Sequence, residues 1–210
     1  MTFAVRHNWA TFVRQVVIHT GVVAGATETI PSGANNVTIE VWGSGGGGGG
    51  GHSVGCVNYA AGGGGSGAFS RSTGIACSGG QTLTYTVGSG GAFGGNNTVG
   101  FDGTASSCSS GTLSITTMTA NGGQGGRVTP LANEAGGTGG TASGGNANNV
   151  TGNTGGTGVA CCVGGAGAAG LNGFESGDGS PYGAGGHGGA GVAQTGRTAG
   201  SNGAVVFVYT

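Results

Sequence analysis

Fifty-eight of the 210 residues are glycine, roughly 28% against an ordinary share of about 7%. Glycine loses more backbone freedom on ordering than any other residue. A chain this rich in it stays mobile unless its backbone gains contacts that side chains would block. The glycines come in bursts. Gly45 to Gly51 is unbroken and Gly62 to Gly65 follows. Later bursts fall into a Gly-Gly-X phase: Gly122-Gly123-Gln124-Gly125-Gly126-Arg127, Gly136-Gly137-Thr138-Gly139-Gly140-Thr141, and Gly185-Gly186-His187-Gly188-Gly189-Ala190. A period of three matches the extended left-handed helix with three residues per turn and no internal hydrogen bonds. Buried helices of that kind must find backbone partners in one another, and glycine lets them approach on several sides. The competing reading is a flexible Gly/Ser linker. Against it, the glycine-rich part is followed by a strand-like ending, and its spacers carry Asn, Thr, Ala and a few apolar residues.

Composition removes several other classes. Leu, Ile, Val and Phe make up roughly 17% of the chain, a share that marks disorder only alongside high net charge. Here the formal net charge is −1. Collagen requires strict Gly periodicity with abundant proline, and there are three Pro. A phosphate-binding Walker loop requires a lysine, and the sequence has none. Five scattered Arg are a poor nucleic-acid footprint, so no nucleic-acid partner is expected. No apolar run approaches the length of about 20 residues that spans a bilayer, so membrane insertion is not expected. The N-terminus, with Arg6, His7 and Arg14, does not read as a secretory signal.

The remaining apolar residues mark strands. Phe12 to His19 is β-branched and mostly apolar. Val37 to Trp42 alternates with period two, as does Leu83 to Val87. Leu113 to Thr116 is a shorter case, and Ala204 to Tyr209 ends the sequence. No amphipathic helix is evident; Trp9 to Ile18 is too rich in Val, Thr and Phe. The expected fold is therefore mainly β, a small antiparallel β-sandwich carrying a bundle of glycine-rich helices, with essentially no α-helix. Four parts are expected: residues 1–29 as an attachment or oligomerisation segment, 30–119 as a β-rich base with the first glycine runs, 120–203 as the glycine-rich bundle with exposed loops, and 204–210 as a strand returning to the sandwich.

The phrases VTIEVWGSGGGGGGG (Val37–Gly51), AGGGGSGAFS (Ala61–Ser70), QTLTYTVGSGG (Gln81–Gly91) and the ending GSNGAVVFVYT together resemble the glycine-rich domains of tailed-phage and prophage fibre and adhesin proteins. The resemblance covers about residues 30–210; the first 29 residues have no counterpart in it. It implies a small β-structured base and a bundle of polyglycine II helices, built here on Gly45–Gly51, Gly62–Gly65, Gly122–Gly126, Gly136–Gly140 and Gly185–Gly189. Loops between the helices would contact a host receptor, either protein or glycan. Residues 1–29 would attach to other virion proteins, and the protein would sit on the virion surface. Fibre proteins of this kind are often trimers, whereas adhesin tips can be monomers.

The receptor-contact candidates lie in the inserts: Tyr59, Leu131, Asn133, Phe174 and Tyr182. Rigid aromatics bury area with little entropy loss. Phe174 and Tyr182 have an equal alternative role in folding back to cover the bundle, and Trp42 and Phe69 read as core. No catalytic residue, cofactor or metal site is expected. His7, His19, His52 and His187 lack ligand spacing with the cysteines. Glu175 and Asp178 read as solvated loop charges rather than a Ca²⁺ site. Cys56, Cys77, Cys108, Cys161 and Cys162 are odd in number, so full pairing within one chain is impossible; free thiols and one long-range bridge are the alternatives. The expected function is a non-enzymatic tail-fibre or tail-tip adhesin. A head fibre or capsid decoration protein is the alternative. Ice binding through Thr138, Thr141, Thr154 and Thr157 is a third.

Overall fold

The computed structural model describes residues 12–54, 57–128, 134–159, 164–171, 182–184 and 196–210. They form two facing antiparallel sheets, a separate two-stranded hairpin and no α-helix. Accordingly, none of the described residues belongs to a helix long and apolar enough to cross a membrane.

The first sheet is organised by β3 (Asn36–Trp42) and β12 (Ala204–Tyr209), which pair antiparallel with Ile39 opposite Phe207 and Trp42 opposite Ala204. Outside β12 lies β1 (Gln15–His19), and outside β3 lie β6 (Phe69–Ala76) and then β11 (Asn148–Val150). The second sheet runs from β2 (Val23–Thr29) through β7 (Thr82–Val87), β8 (Ser106–Ser110) and β9 (Met118–Ala120) to β10 (Ala142–Ser143). Residues 15–29 thus supply an edge strand to each sheet, and residues 1–11 lie outside the described part.

Period-two alternation sets the core. Val37, Ile39 and Val41 of β3 and Val205, Phe207 and Tyr209 of β12 face Leu83, Tyr85 and Val87 of β7, with Cys108 and Met118 between the sheets. The outer face of the first sheet is buried too. Trp42, Phe69, Ala204, Val206 and Val208 form a second cluster, covered in part by Leu171 and Tyr182. This is why β12 is apolar at consecutive positions and buried along its whole length. On the same face Glu40, fully buried, meets Arg71 with Nε 3.2 Å from Oε1.

Two strands differ from expectation. Leu113 to Thr116 is not a strand. The Ser110 hydroxyl accepts from the Ile115 amide (2.9 Å) and donates to its carbonyl (3.0 Å), while the Leu113 amide donates to the Thr82 carbonyl (3.0 Å). Side-chain bonds of this kind curl the backbone away from a ladder. Leu113 still reaches the core. Conversely, serine-rich β8 is a strand: it pairs antiparallel with β7, and its inward positions, Ser106 and Cys108, are buried.

A polar chain ties the N-terminal strands to the sandwich. The Tyr209 hydroxyl donates to Glu28 Oε1 (2.8 Å), and His19 Nε2 lies 2.9 Å from Glu28 Oε2. A carboxylate only accepts, so Nε2 carries a proton, and Nδ1 lies 3.1 Å from the Tyr85 hydroxyl.

The strands do not stop at the sheet boundary. Beyond Trp42 and Phe69, segments 43–51 and 60–68 continue the β3–β6 pair as glycine-rich extended helices. In the same way 88–95 and 98–105 continue β7 and β8, 121–128 and 134–141 continue β9 and β10, 151–158 follows β11, and 198–203 leads into β12. The amides of 43–51 donate with a period of three. Gly43, Gly46 and Gly49 bond to 60–68, Ser44, Gly47 and Gly50 bond to 98–105, and Gly45 and Gly48 bond to 198–203, at 2.9–3.3 Å. That segment also accepts from Gly91, Gly94, Gly123 and Gly126. Segment 60–68 is surrounded likewise: it donates to 121–128, 151–158 and Gly183, and accepts from 43–51, 134–141 and 164–169. This is polyglycine II packing, and the two most continuous glycine runs are the two segments enclosed on all sides. A Cβ on Gly64 would strike the Gly46 carbonyl, and one on Gly47 the Ala92 carbonyl, far inside van der Waals contact. Peripheral helices keep a side chain at every third position. Asn121, Gln124 and Arg127 are exposed, as are Ala135, Thr138 and Thr141.

Two predictions follow from this packing and burial. Gly64→Ala should destabilise by at least about 3 kcal/mol, because the obstructing atoms are backbone and cannot rotate away. Thr138→Ala should change stability by less than about 0.5 kcal/mol; urea unfolding measures both. Burial pushes the Cys108 thiol up from 9.0 to about 12 and also raises the Tyr209 phenol, which its bond to Glu28 raises further. Above about pH 9 the unfolded chain therefore binds fewer protons than the folded one, and stability falls as pH rises. The melting temperature should drop between pH 9 and 11, and less steeply in Cys108→Ala; an unchanged slope in that variant would contradict this assignment.

Candidate functional site

The β3–β6 and β7–β8 pairs close in turns at the bundle's far end. Eight residues of three-fold extended helix at about 3.1 Å each place these turns about 25 Å from the sandwich. The central pair closes through a small hairpin, β4 (His52–Val54) and β5 (Val57–Tyr59), with His52 opposite Tyr59 and their rings stacked 6.5 Å apart. His52 Nδ1 is buried without a hydrogen-bond partner. The next pair closes at Asn97, whose φ of 55° is the left-handed conformation asparagine tolerates; its amide donates to the Gly51 carbonyl at 3.3 Å. Residues 129–133, which close a third pair, lie outside the described part.

Around this end the side chains turn apolar and outward. Phe93 is 44% exposed, Val99 56%, Phe101 65% and Val159 57%. Segments 88–95 and 98–105, which carry the first three, are held by Phe101 N to Ala92 O (2.9 Å) and Thr104 N to Ser89 O (3.1 Å). The Arg197 guanidinium lies 4.9 Å from the Phe93 ring centroid and donates to the Gly94 carbonyl at 3.3 Å, a geometry that couples a cation to an aromatic face. The Asp102 carboxylate accepts from the Gly125 amide at 2.8 Å, fixing 98–105 to 121–128. A surface of this kind offers rigid apolar contact area beside one cation.

Of the residues singled out from sequence, Tyr59 lies at this end, half-buried at the base of the hairpin. Tyr182 is elsewhere: it bridges to Leu171 and packs edge-on to Trp42 at 5.1 Å, where the sandwich meets the bundle. The Trp42 indole donates to the Leu171 carbonyl at 2.9 Å. Tyr182 therefore covers the sheet and shares no surface with Tyr59. Leu131, Asn133 and Phe174 lie outside the described residues, as do His187, Glu175, Asp178, Cys56, Cys161 and Cys162. Cys77 and Cys108 are free thiols. Among the described residues no three of His, Cys, Asp and Glu come together as a metal site. Phe93, Val99 and Phe101 escaped sequence reasoning. Their signal is present, because a large apolar residue flanking the glycine of an edge helix has no interior to enter.

A family model described as a glycine-rich domain matches residues 20–210, and the chain belongs to that family. No curated protein matches it.

Tyr182→Ala should lower stability by about 1–3 kcal/mol, through loss of the packing on Trp42. Phe101→Ser should leave stability within about 0.5 kcal/mol. Denaturant unfolding followed by near-ultraviolet circular dichroism distinguishes the two.

Proposed function

We propose that this glycine-rich domain is a phage virion protein, a tail-fibre or tail-tip adhesin that meets a host surface receptor with the far end of its bundle. The observation that carries the reading is the set of exposed apolar side chains Phe93, Val99, Phe101 and Val159, held on helices whose backbones are locked to their neighbours. Exposed apolar groups on a rigid frame lose little entropy on binding. Tyr59 belongs to the same end; Leu131 and Asn133 are further receptor-contact candidates from sequence. Residues 1–29 are the proposed attachment to other virion proteins. Their support is the exposure of Val13, Val16, Ile18 and Val22, at 76%, 37%, 37% and 57%, along an edge of the sandwich opposite in function to the loops.

Adsorption competition tests this. The purified chain should block adsorption of the phage that carries it, and Phe93→Ser with Phe101→Ser should reduce that block at least tenfold with an unchanged melting temperature. Absence of any block, together with antibody labelling over the capsid lattice, would replace the adhesin with a head fibre or decoration protein.

A further inference from the structure

At the end of the sandwich away from the bundle, a half-open cleft of about 200 Å³ is lined by Ser72, Ile75, Ser114, Ile115, Thr116, Gly144 and Asn146. It lies between the end of β6, the curled segment that precedes β9, and the turn joining β10 to β11. Its floor is apolar, since Ile75 and Ile115 pack on the main core. One wall is rigid. The Asn146 side chain accepts from the Thr73 amide (2.9 Å) and donates to the Thr73 carbonyl (3.1 Å), while its own amide donates to the Ser72 hydroxyl (3.1 Å). Gly144, at φ 84°, leaves no room for a side chain on the turn, because a Cβ there would strike the Thr117 carbonyl. Ser114 and Thr116, both exposed, also line the cleft and carry hydroxyls. No charged residue lines the cleft.

We propose that this cleft is a second binding site, separate from the loop end, that takes one neutral sugar ring. The chemistry matches on three counts. A pyranose has one apolar face of C–H groups for Ile75 and Ile115. Its hydroxyls are donors and acceptors, as are Ser114, Thr116 and the remaining capacity of the Asn146 amide. Its size suits a pocket near 200 Å³, whose open side lets the next residue of a glycan leave. An uncharged lining offers nothing to offset desolvation of an ionised ligand, so acidic sugars are disfavoured. Affinity of a single ring in a shallow site falls in the range of about 1 mM, as for other small contacts of roughly 4 kcal/mol.

Two-dimensional NMR of the whole chain, titrated with glucose, galactose, N-acetylglucosamine and N-acetylneuraminic acid, tests the proposal. At least one neutral sugar should shift the Ile75 and Ile115 methyls and the Ser114, Thr116 and Asn146 amides in a saturable way. Ser114→Trp, which fills the exposed wall, should weaken that response at least tenfold. Thr116→Val, which removes only a hydroxyl, should weaken it severalfold, with both melting temperatures preserved. Phe93→Ser with Phe101→Ser should leave it intact, so failure of the adhesin reading and failure of this one are separable. No saturable shift up to about 100 mM of any neutral sugar, an equal response to N-acetylneuraminic acid, or shifts unaltered in Ser114→Trp would each overturn the site.

Discussion

The whole molecule depends on backbone hydrogen bonds between helices that have no side chains in the way. In an α-helix or a sheet, a residue's amide and carbonyl find partners in one element or in one plane. In segments 43–51 and 60–68 successive amides point to three different neighbours, and the carbonyls accept from others. Enclosure of that kind leaves no direction in which a Cβ can point. Ordering glycine costs about 1–2 kcal/mol per residue in backbone entropy, and a net hydrogen bond returns about 1 kcal/mol. The margin is therefore narrow, and it is held by completeness. An enclosed helix whose neighbours are missing on one side would leave amides unsatisfied.

The sandwich supplies what the glycine helices lack. Its cores, built on Val37, Ile39, Val41, Phe207 and Leu83 on one face and on Trp42, Phe69 and Val206 on the other, fix the register of β3 against β6 and β12 by apolar burial. Register, once fixed at Trp42 opposite Phe69 and Ala204, passes directly into the bundle through Gly43 N to Ala68 O at 2.9 Å. The β-strands act as a template from which the helices extend. This arrangement also separates tasks by distance. Apolar burial stabilises one end, and backbone hydrogen bonds between glycine helices hold the other.

Much of this was legible in the sequence. Alternation in Val37–Trp42 and Leu83–Val87, and the apolar ending at 204–209, announced three strands, and the bursts at Gly45 and Gly62 announced two of the glycine helices. The Gly-Gly-X phase announced extended helices; that its X positions, such as Gln124 and Thr138, face outward is visible only in the packing. What was missed shares a cause. Strand β2 contains Gly25 at φ 64° beside a register shift, and β8 is four serines around Cys108; neither has an apolar period, and each is a strand only because β7 lies between them. Segments 88–95 and 98–105 lack a clean triplet because they lie at the edge of the bundle and need glycine only where they face it. Tyr182 was undecided between contact and cover because only the position of Trp42 chooses between them. For the loop end, sequence supplied Tyr59 but not Phe93 or Phe101.

Amide hydrogen exchange resolved by NMR tests the enclosed-helix account most directly. The amides of Gly45 to Gly50 and of Gly62 to Gly67 should exchange as slowly as those of β3 and β12, although these segments belong to neither an α-helix nor a sheet. Exchange of those glycine amides at the rate of an unstructured peptide, with β3 and β12 protected, would contradict it and leave the sandwich carrying a mobile glycine-rich excursion.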